Sequence, residues 1–119
     1  KRPLISSIRV AKNEINKIRK AEAAKEPAEA QAVIQNALGF ALAAQNNYKG
    51  AMRHYKLALE AKPAYPVALN NLAFALEKQL KPDEAKETYD KVLELDPSNK
   101  TARKRLKLLG RQSGFNTVA

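Results

Sequence analysis

His54 is the only histidine in the sequence, and there is no cysteine. A lone imidazole has no second His, Cys or carboxylate cluster at ligand spacing beside it, so the sequence offers no metal site. Its expected place is the exposed side of a helix. The absence of cysteine excludes a thiolate nucleophile and a disulfide framework. No glycine-rich phosphate loop, nucleophile motif or carboxylate pair in an evident cleft is present. The sequence therefore reads as that of a protein that is not an enzyme, and it implies no cofactor. What it does carry is binding chemistry. Phe40 and Phe74 stand 34 residues apart, as do Asn36 and Asn70. Aromatic rings grip apolar side chains, and carboxamides both donate to and accept from a peptide backbone.

The second kind of binding chemistry is charge. Lysine and arginine number 22 against 12 acidic residues, for a net charge of +10. The excess is unevenly placed. Residues 1–26 carry a net +5, residues 98–119 a net +6, and the stretch between them a net −1. An anionic partner is therefore drawn to the two ends. The candidate basic patch is Arg9, Lys12, Lys17, Arg19 and Lys20 at one end. Arg103, Lys107 and Arg111 form it at the other.

The elements that must position these groups follow from an internal repeat. Residues 32–65 and 66–99 align without a gap and share 12 identities in 34 positions, among them Val33/Val67, Leu38/Leu72, Ala51/Ala85, Tyr55/Tyr89 and Pro63/Pro97. A fixed period of this length is the signature of stacked helical pairs that bury one continuous core. Such arrays usually present a surface to a partner and carry no chemistry. A hydrophobic content of 45% supplies the apolar side chains a packed core needs. One domain is expected at 119 residues. No apolar run approaches the roughly 18–20 residues that span a membrane. The chain opens Lys1-Arg2-Pro3 without Met, as a processed form or a fragment would, and targeting or membrane segments could have been removed.

Five regions follow. Residues 1–26 form a basic amphipathic helix in which Leu4, Ile8, Ala11, Ile15 and Ile18 share one face. Pro27 stops this helix or starts the next. Residues 27–65 hold the first repeat, with helix A over 28–44, a turn at Asn46-Asn47 and helix B over 48–61. Residues 66–99 hold the second, with helices over 66–79 and 82–95. Residues 100–110 form a basic cap started by Ser98 or Asn99 and closed by Gly110. Residues 111–119 read as a flexible tail.

These residues resemble the tetratricopeptide repeat. The first repeat supplies Leu38-Gly39, Leu42, Ala51, Tyr55, Ala58 and Pro63. The second supplies Leu72-Ala73, Leu76, Ala85, Tyr89, Val92 and Pro97. One departure is Gln35, where the family usually has Trp or another large apolar residue. The resemblance covers 68 of 119 residues. It implies an all-α fold: a right-handed superhelical array of antiparallel helix pairs, two full motifs with an amphipathic helix before them and a capping helix after. Because arrays generally need about three units, the flanking helices are expected to complete the stack. The first would act as a degenerate helix B before the first repeat.

The resemblance also implies a concave face lined by the A helices. Mapped onto this sequence, it consists of Val33, Asn36 and Phe40, then Val67, Asn70, Asn71, Phe74, Glu77 and Lys78, then Thr101, Lys104, Arg105 and Leu108. The expected partner is a protein client, held as a peptide or helix. Some relatives clamp the acidic C-termini of chaperones with five Lys, Asn and Arg side chains. Here Asn71 and Arg105 match, while Asn36, Phe40 and Thr101 stand at the other three positions. An acidic tail would lose most of its charge-assisted bonds. The runner-up is a scaffold tethered through the basic flanks to an anionic membrane surface or to RNA. Against RNA, the basic stretches lack interleaved aromatics for base stacking. Short modules of this kind also resemble assembly factors of membrane complexes, including photosynthetic ones. Self-association, by the exposed ends of the short array or by a swapped N-terminal helix pairing head to tail, is a further reading.

Overall fold

The computed structural model describes the backbone of residues 2–118 and the side chains of residues 8–17 and 27–110. Among the described residues there are five helices and no strand: α1 (Arg2–Ala44), α2 (Tyr48–Ala61), α3 (Pro66–Lys78), α4 (Pro82–Leu95) and α5 (Lys100–Val118). Each packs on the next in chain order, so the architecture is a one-dimensional stack. No described helix is long and apolar enough to cross a membrane.

Local chemistry fixes the helix ends. The Asn47 side chain accepts the Gly50 N–H at 3.0 Å and caps α2. Pro66 and Pro82 start α3 and α4, where a missing N–H costs nothing. Asp83 and Glu84 then lie at the positive end of the α4 dipole. Asn99 caps α5, its Oδ1 accepting the Ala102 N–H at 3.0 Å. The two within-repeat turns share one geometry. Asn47 N–H donates to the Leu42 carbonyl, and Lys81 N–H to the Leu76 carbonyl, both at 2.9 Å. The residue before each donor is left-handed, Asn46 at φ 63° and Leu80 at φ 60°. Asparagine tolerates that region; leucine pays a steric cost there.

The core lies between the pairs. Ala51, Tyr55, Leu69, Leu72, Ala73, Ala75, Leu76, Ala85, Tyr89, Val92, Ala102 and Leu109 form one buried cluster. Small residues set the closest approaches. A methyl group added at Gly39 would stand 2.6 Å from the Tyr55 ring and 2.9 Å from the Ala51 carbonyl. Glycine is required there because α1 and α2 touch through it.

Three sequence expectations are corrected. First, α1 runs unbroken through Pro27 for 43 residues. The flanking stretch Ala21–Ala32 is rich in Ala and Glu. Those strong helix formers offset the proline penalty of about 3 kcal/mol. Second, the amphipathic segment does not fold back as a degenerate helix B. Ile8, Ala11 and Ile15 are exposed, while the Leu4 and Ile18 side chains lie outside the described residues. Third, α5 continues past Gly110, which has an ordinary helical φ and does not close it. A glycine in mid-helix costs only about 1 kcal/mol.

Candidate functional site

Helices α1 and α3 carry the same residues one repeat apart, so their inner faces present matching side chains. A cleft of about 200 Å³ opens between them and α2. Its lining includes Phe40, Tyr48, Tyr55, Asn71 and Phe74. Phe40 is 63% exposed and Phe74 38%. Two aromatic rings that burial alone would have hidden are thus displayed on one concavity.

Beside the rings, two carboxamides meet. Asn71 Nδ2 donates to Asn36 Oδ1 at 3.0 Å, linking α3 to α1. This single bond uses one donor and one acceptor. The Asn36 Nδ2 group and the Asn71 Oδ1 atom have no other partner among the described residues. A peptide unit needs one donor and one acceptor, and the pair offers both.

The far end of the concavity is an ion-pair network. Arg105, on α5, holds the Glu77 carboxylate with two bonds, through Nη2 to Oε1 and through Nε to Oε2 at 3.0 Å. Tyr89 donates its hydroxyl to the same Oε2 at 2.5 Å. The Glu77 side chain is only 10% exposed. Burial and the neighbouring Glu77 charge push the Tyr89 phenol far above its usual range. The bonds to Glu77 raise the Arg105 guanidinium as well, against the opposing effect of burial. Phe74 sits under two cations, with Lys78 Nζ 5.2 Å and Arg105 Cζ 5.5 Å from the ring centroid.

The structure therefore divides the predicted groove residues. It gathers Asn36, Phe40, Asn71 and Phe74 in one place, with Lys78 and Arg105 at the edge. Val33 and Val67 are exposed but do not line the cleft. Lys104 is exposed on α5, outside it. Asn70 is a correction. Its Nδ2 donates to Asn99 Oδ1 at 3.1 Å, toward the start of α5, and its own Oδ1 is buried without a partner among the described residues. Arg105, at the edge, is ion-paired. Its charge is already matched by Glu77, so it is not a free anion receptor. Neither pairing carries a sequence signal, since Asn70–Asn99 and Glu77–Arg105 are 29 and 28 residues apart.

His54 was expected on the exposed side of α2. It is half-buried, with Nδ1 2.7 Å from Gln35 Oε1 on α1. Gln35 is the position that departs from the apolar norm, and His54 supplies its polar partner. That departure was the signal from which the pair could have been read. Of the basic patch, Arg9, Lys12 and Lys17 are exposed on α1, with Lys17 Nζ 3.7 Å from Glu14. Arg103 and Lys107 are exposed on α5. The Arg19, Lys20 and Arg111 side chains lie outside the described residues. Among the described residues, no three His, Cys, Asp or Glu side chains cluster as metal ligands.

An antiparallel helix-pair stack with an aromatic, carboxamide-lined inner face defines the class of helical repeat interaction folds. Profiles of the tetratricopeptide repeat match residues 32–65 and residues 66–99. Together these cover more than half of the sequence, and the chain belongs to the tetratricopeptide repeat family. No curated protein matches the sequence significantly. Among solved structures, the chain resembles the second TPR of Spaghetti (RPAP3) bound to HSP90 peptide SRMEEVD. That match has a TM-score of 0.73 at 24% identity, covering 77% of this chain and 84% of that one. The second TPR domain of human RPAP3, in complex with HSP70 peptide SGPTIEEVD, matches with a TM-score of 0.65 at 26% identity, over 82% and 88% of the two chains. The Sgt2 TPR domain from Aspergillus fumigatus gives 0.68 at 20% identity, over 74% and 60%.

Proposed function

We propose that the protein is a non-catalytic interaction module, an adaptor or assembly factor that holds an extended client segment in the concavity between α1 and α3. The observation that carries this reading is the cleft lined by exposed Phe40 and Phe74 and by Asn71, whose side chain is bonded to Asn36. The rings would take an apolar client side chain, and the free carboxamide groups its backbone. The solved relatives that hold chaperone peptides support peptide binding in general. Their acidic ligands are a poorer fit to this chain. Phe40 stands where the clamp resemblance expects a carboxamide, and Arg105 is matched by Glu77. Peptide SRMEEVD should accordingly bind weakly or not at all.

Affinity capture from native lysate at low and high salt tests the proposal. A discrete client should persist at high salt and be lost, by about 100-fold or more in affinity, from Phe40→Ala combined with Phe74→Ala. Both rings are partly or largely exposed, so helicity should be unchanged. Binding that survives in the folded double variant rules the groove out. A second reading rests on the exposed Arg9, Lys12 and Lys17 of α1 and the exposed Arg103, Lys104 and Lys107 of α5. These would tether the scaffold to an anionic membrane or RNA. Recovery of only such material, and only at low salt, favours that reading.

A further inference from the structure

The two repeats carry opposite charge at equivalent positions. Helix α2 has Lys49, Arg53 and Lys56; one period of 34 later, α4 has Asp83, Glu87 and Asp90. A spacing of i, i+4, i+7 puts each trio on one side of its helix. The buried sides also correspond, Ala51, Tyr55 and Ala58 in α2 matching Ala85, Tyr89 and Val92 in α4. The basic and the acidic stripe therefore occupy the same angular position, away from the core. All six side chains are exposed, and among the described residues none of them is in an ion pair. The three cations line one cleft together with Lys81, the residue before α4. Stacking does not set these charges, since the same framework carries lysine in one repeat and aspartate in the next.

We infer that the two stripes are the halves of one self-association surface, in which α2 of each copy pairs with α4 of the other. Because neighbouring helices in the stack are antiparallel, α2 and α4 run in the same direction. A two-fold axis parallel to both then sets each basic stripe against an acidic one in a single operation. Such an axis leaves every residue at its own level along the helix. The repeats align without a gap, so Lys49 faces Asp83, Arg53 faces Glu87 and Lys56 faces Asp90, each contact made twice. The complementarity ends at Glu60 and Glu94, the next positions of the stripes, which are acidic in both repeats. An unrelated acidic protein would match α2 and leave the α4 carboxylates unanswered. A second copy answers both stripes, with the spacing already fixed.

Exposed ion pairs contribute little one at a time. Here six act in one symmetric surface, and the groove between α2 and α4 adds apolar area. Leu59, Leu69 and Leu95 line it, Leu95 being 46% exposed. An apolar strip between charged margins is the anatomy of an interface. The net charge of +10 does not oppose the contact, because it lies in the flanks and residues 27–97 are net −1. Charges further away than roughly 8 Å are largely screened at physiological salt. The product is a weak, reversible dimer. None of the six residues lines the concave cleft, and the inference stands whether or not that cleft binds a client.

Reciprocal charge exchange tests the pairing. Sedimentation equilibrium of the full chain at physiological salt should show monomer and dimer in exchange. One variant carries Lys49→Asp, Arg53→Glu and Lys56→Asp; the other carries Asp83→Lys, Glu87→Arg and Asp90→Lys. Each gives one repeat the residues its counterpart already holds, so helicity should be unchanged. Each variant alone sets like charge against like and should associate about 100-fold more weakly or worse. Mixed in equal amounts, the two should recover the dimer, because acidic stripes then meet basic ones on both sides. A wild-type chain that stays monomeric up to its solubility limit overturns the proposal and leaves the basic stripe to a different acidic partner. Folded variants that dimerise as the wild type does place the interface elsewhere, and a mixture that fails to associate refutes the pairing.

Discussion

The two repeats share a template and meet different fates. Leu38 and Leu72 occupy the same position, yet one is 45% exposed and the other 9%. The difference lies in the neighbours: α3 sits between α2 and α4, whereas among the described residues α1 packs mainly on α2. The interiors of the pairs also diverge. In the first repeat Gly39 lets α1 press onto Tyr55, and Gln35 meets His54. In the second, Ala73 replaces the glycine and is fully buried. Leu69 takes the place of Gln35, and the Thr88 hydroxyl turns back to the Glu84 carbonyl at 2.8 Å. The aromatic anchors differ too. Tyr89 is tied to the Glu77–Arg105 network, while Tyr55 lines the cleft. Among the described residues, the second repeat is packed on both sides and the first on one.

Substitutions can break that contrast. The largest effect should come from Tyr89→Ala, which empties a fully buried site and strips a donor from buried Glu77. Chemical denaturation should show a loss of about 3–5 kcal/mol. Gly39→Ala should follow, costing about 1–3 kcal/mol by overpacking the α1–α2 contact. The Ala73→Gly counterpart should cost about 1–2 kcal/mol through a lost methyl group and added chain freedom, with no clash. Equal and negligible effects at the two sites would show that the close approach at Gly39 is not a constraint.

Alkaline pH separates the anchors more finely. Burial raises both the Tyr55 and Tyr89 phenols, Tyr89 by far the more. A proton held more tightly in the folded state contributes stability that is complete below the unfolded phenol range near pH 10. That contribution declines as pH rises above it. Denaturation midpoints should therefore fall above about pH 10, and Tyr89→Phe should flatten the fall more than Tyr55→Phe does. The smallest effect concerns the turns. Leu80 is 87% exposed at a positive φ, where its counterpart is Asn46. Leu80→Asn should stabilise the protein by about 1 kcal/mol, read as a higher melting temperature.

Much of this was legible because the period of 34 fixes which residues face each other. Helix pairs, turn positions and the paired Phe residues all follow from it. Continuity of α1 was not legible, because Pro27 is a strong local stop signal and its override depends on the summed propensity of its neighbours. Gly110 misled for the same reason. The Glu77–Arg105–Tyr89 network was hidden by sequence distance, and with it the neutralisation of Arg105. Asn70 looked like a groove residue by symmetry with Asn36, but α5 follows the second repeat and draws it into the stack. Repeat logic places residues well and assigns their partners poorly, since partners depend on which neighbour is present.

The central claim is that the concave face between α1 and α3 holds the client. Hydrogen exchange with and without a peptide selected from a random library tests it most directly. The account predicts that bound peptide slows exchange in residues 33–44 of α1 and 67–78 of α3, and that Phe40→Ala with Phe74→Ala removes the effect. Slowed exchange confined to residues 8–17 and to α5, with those helices unchanged, would contradict it.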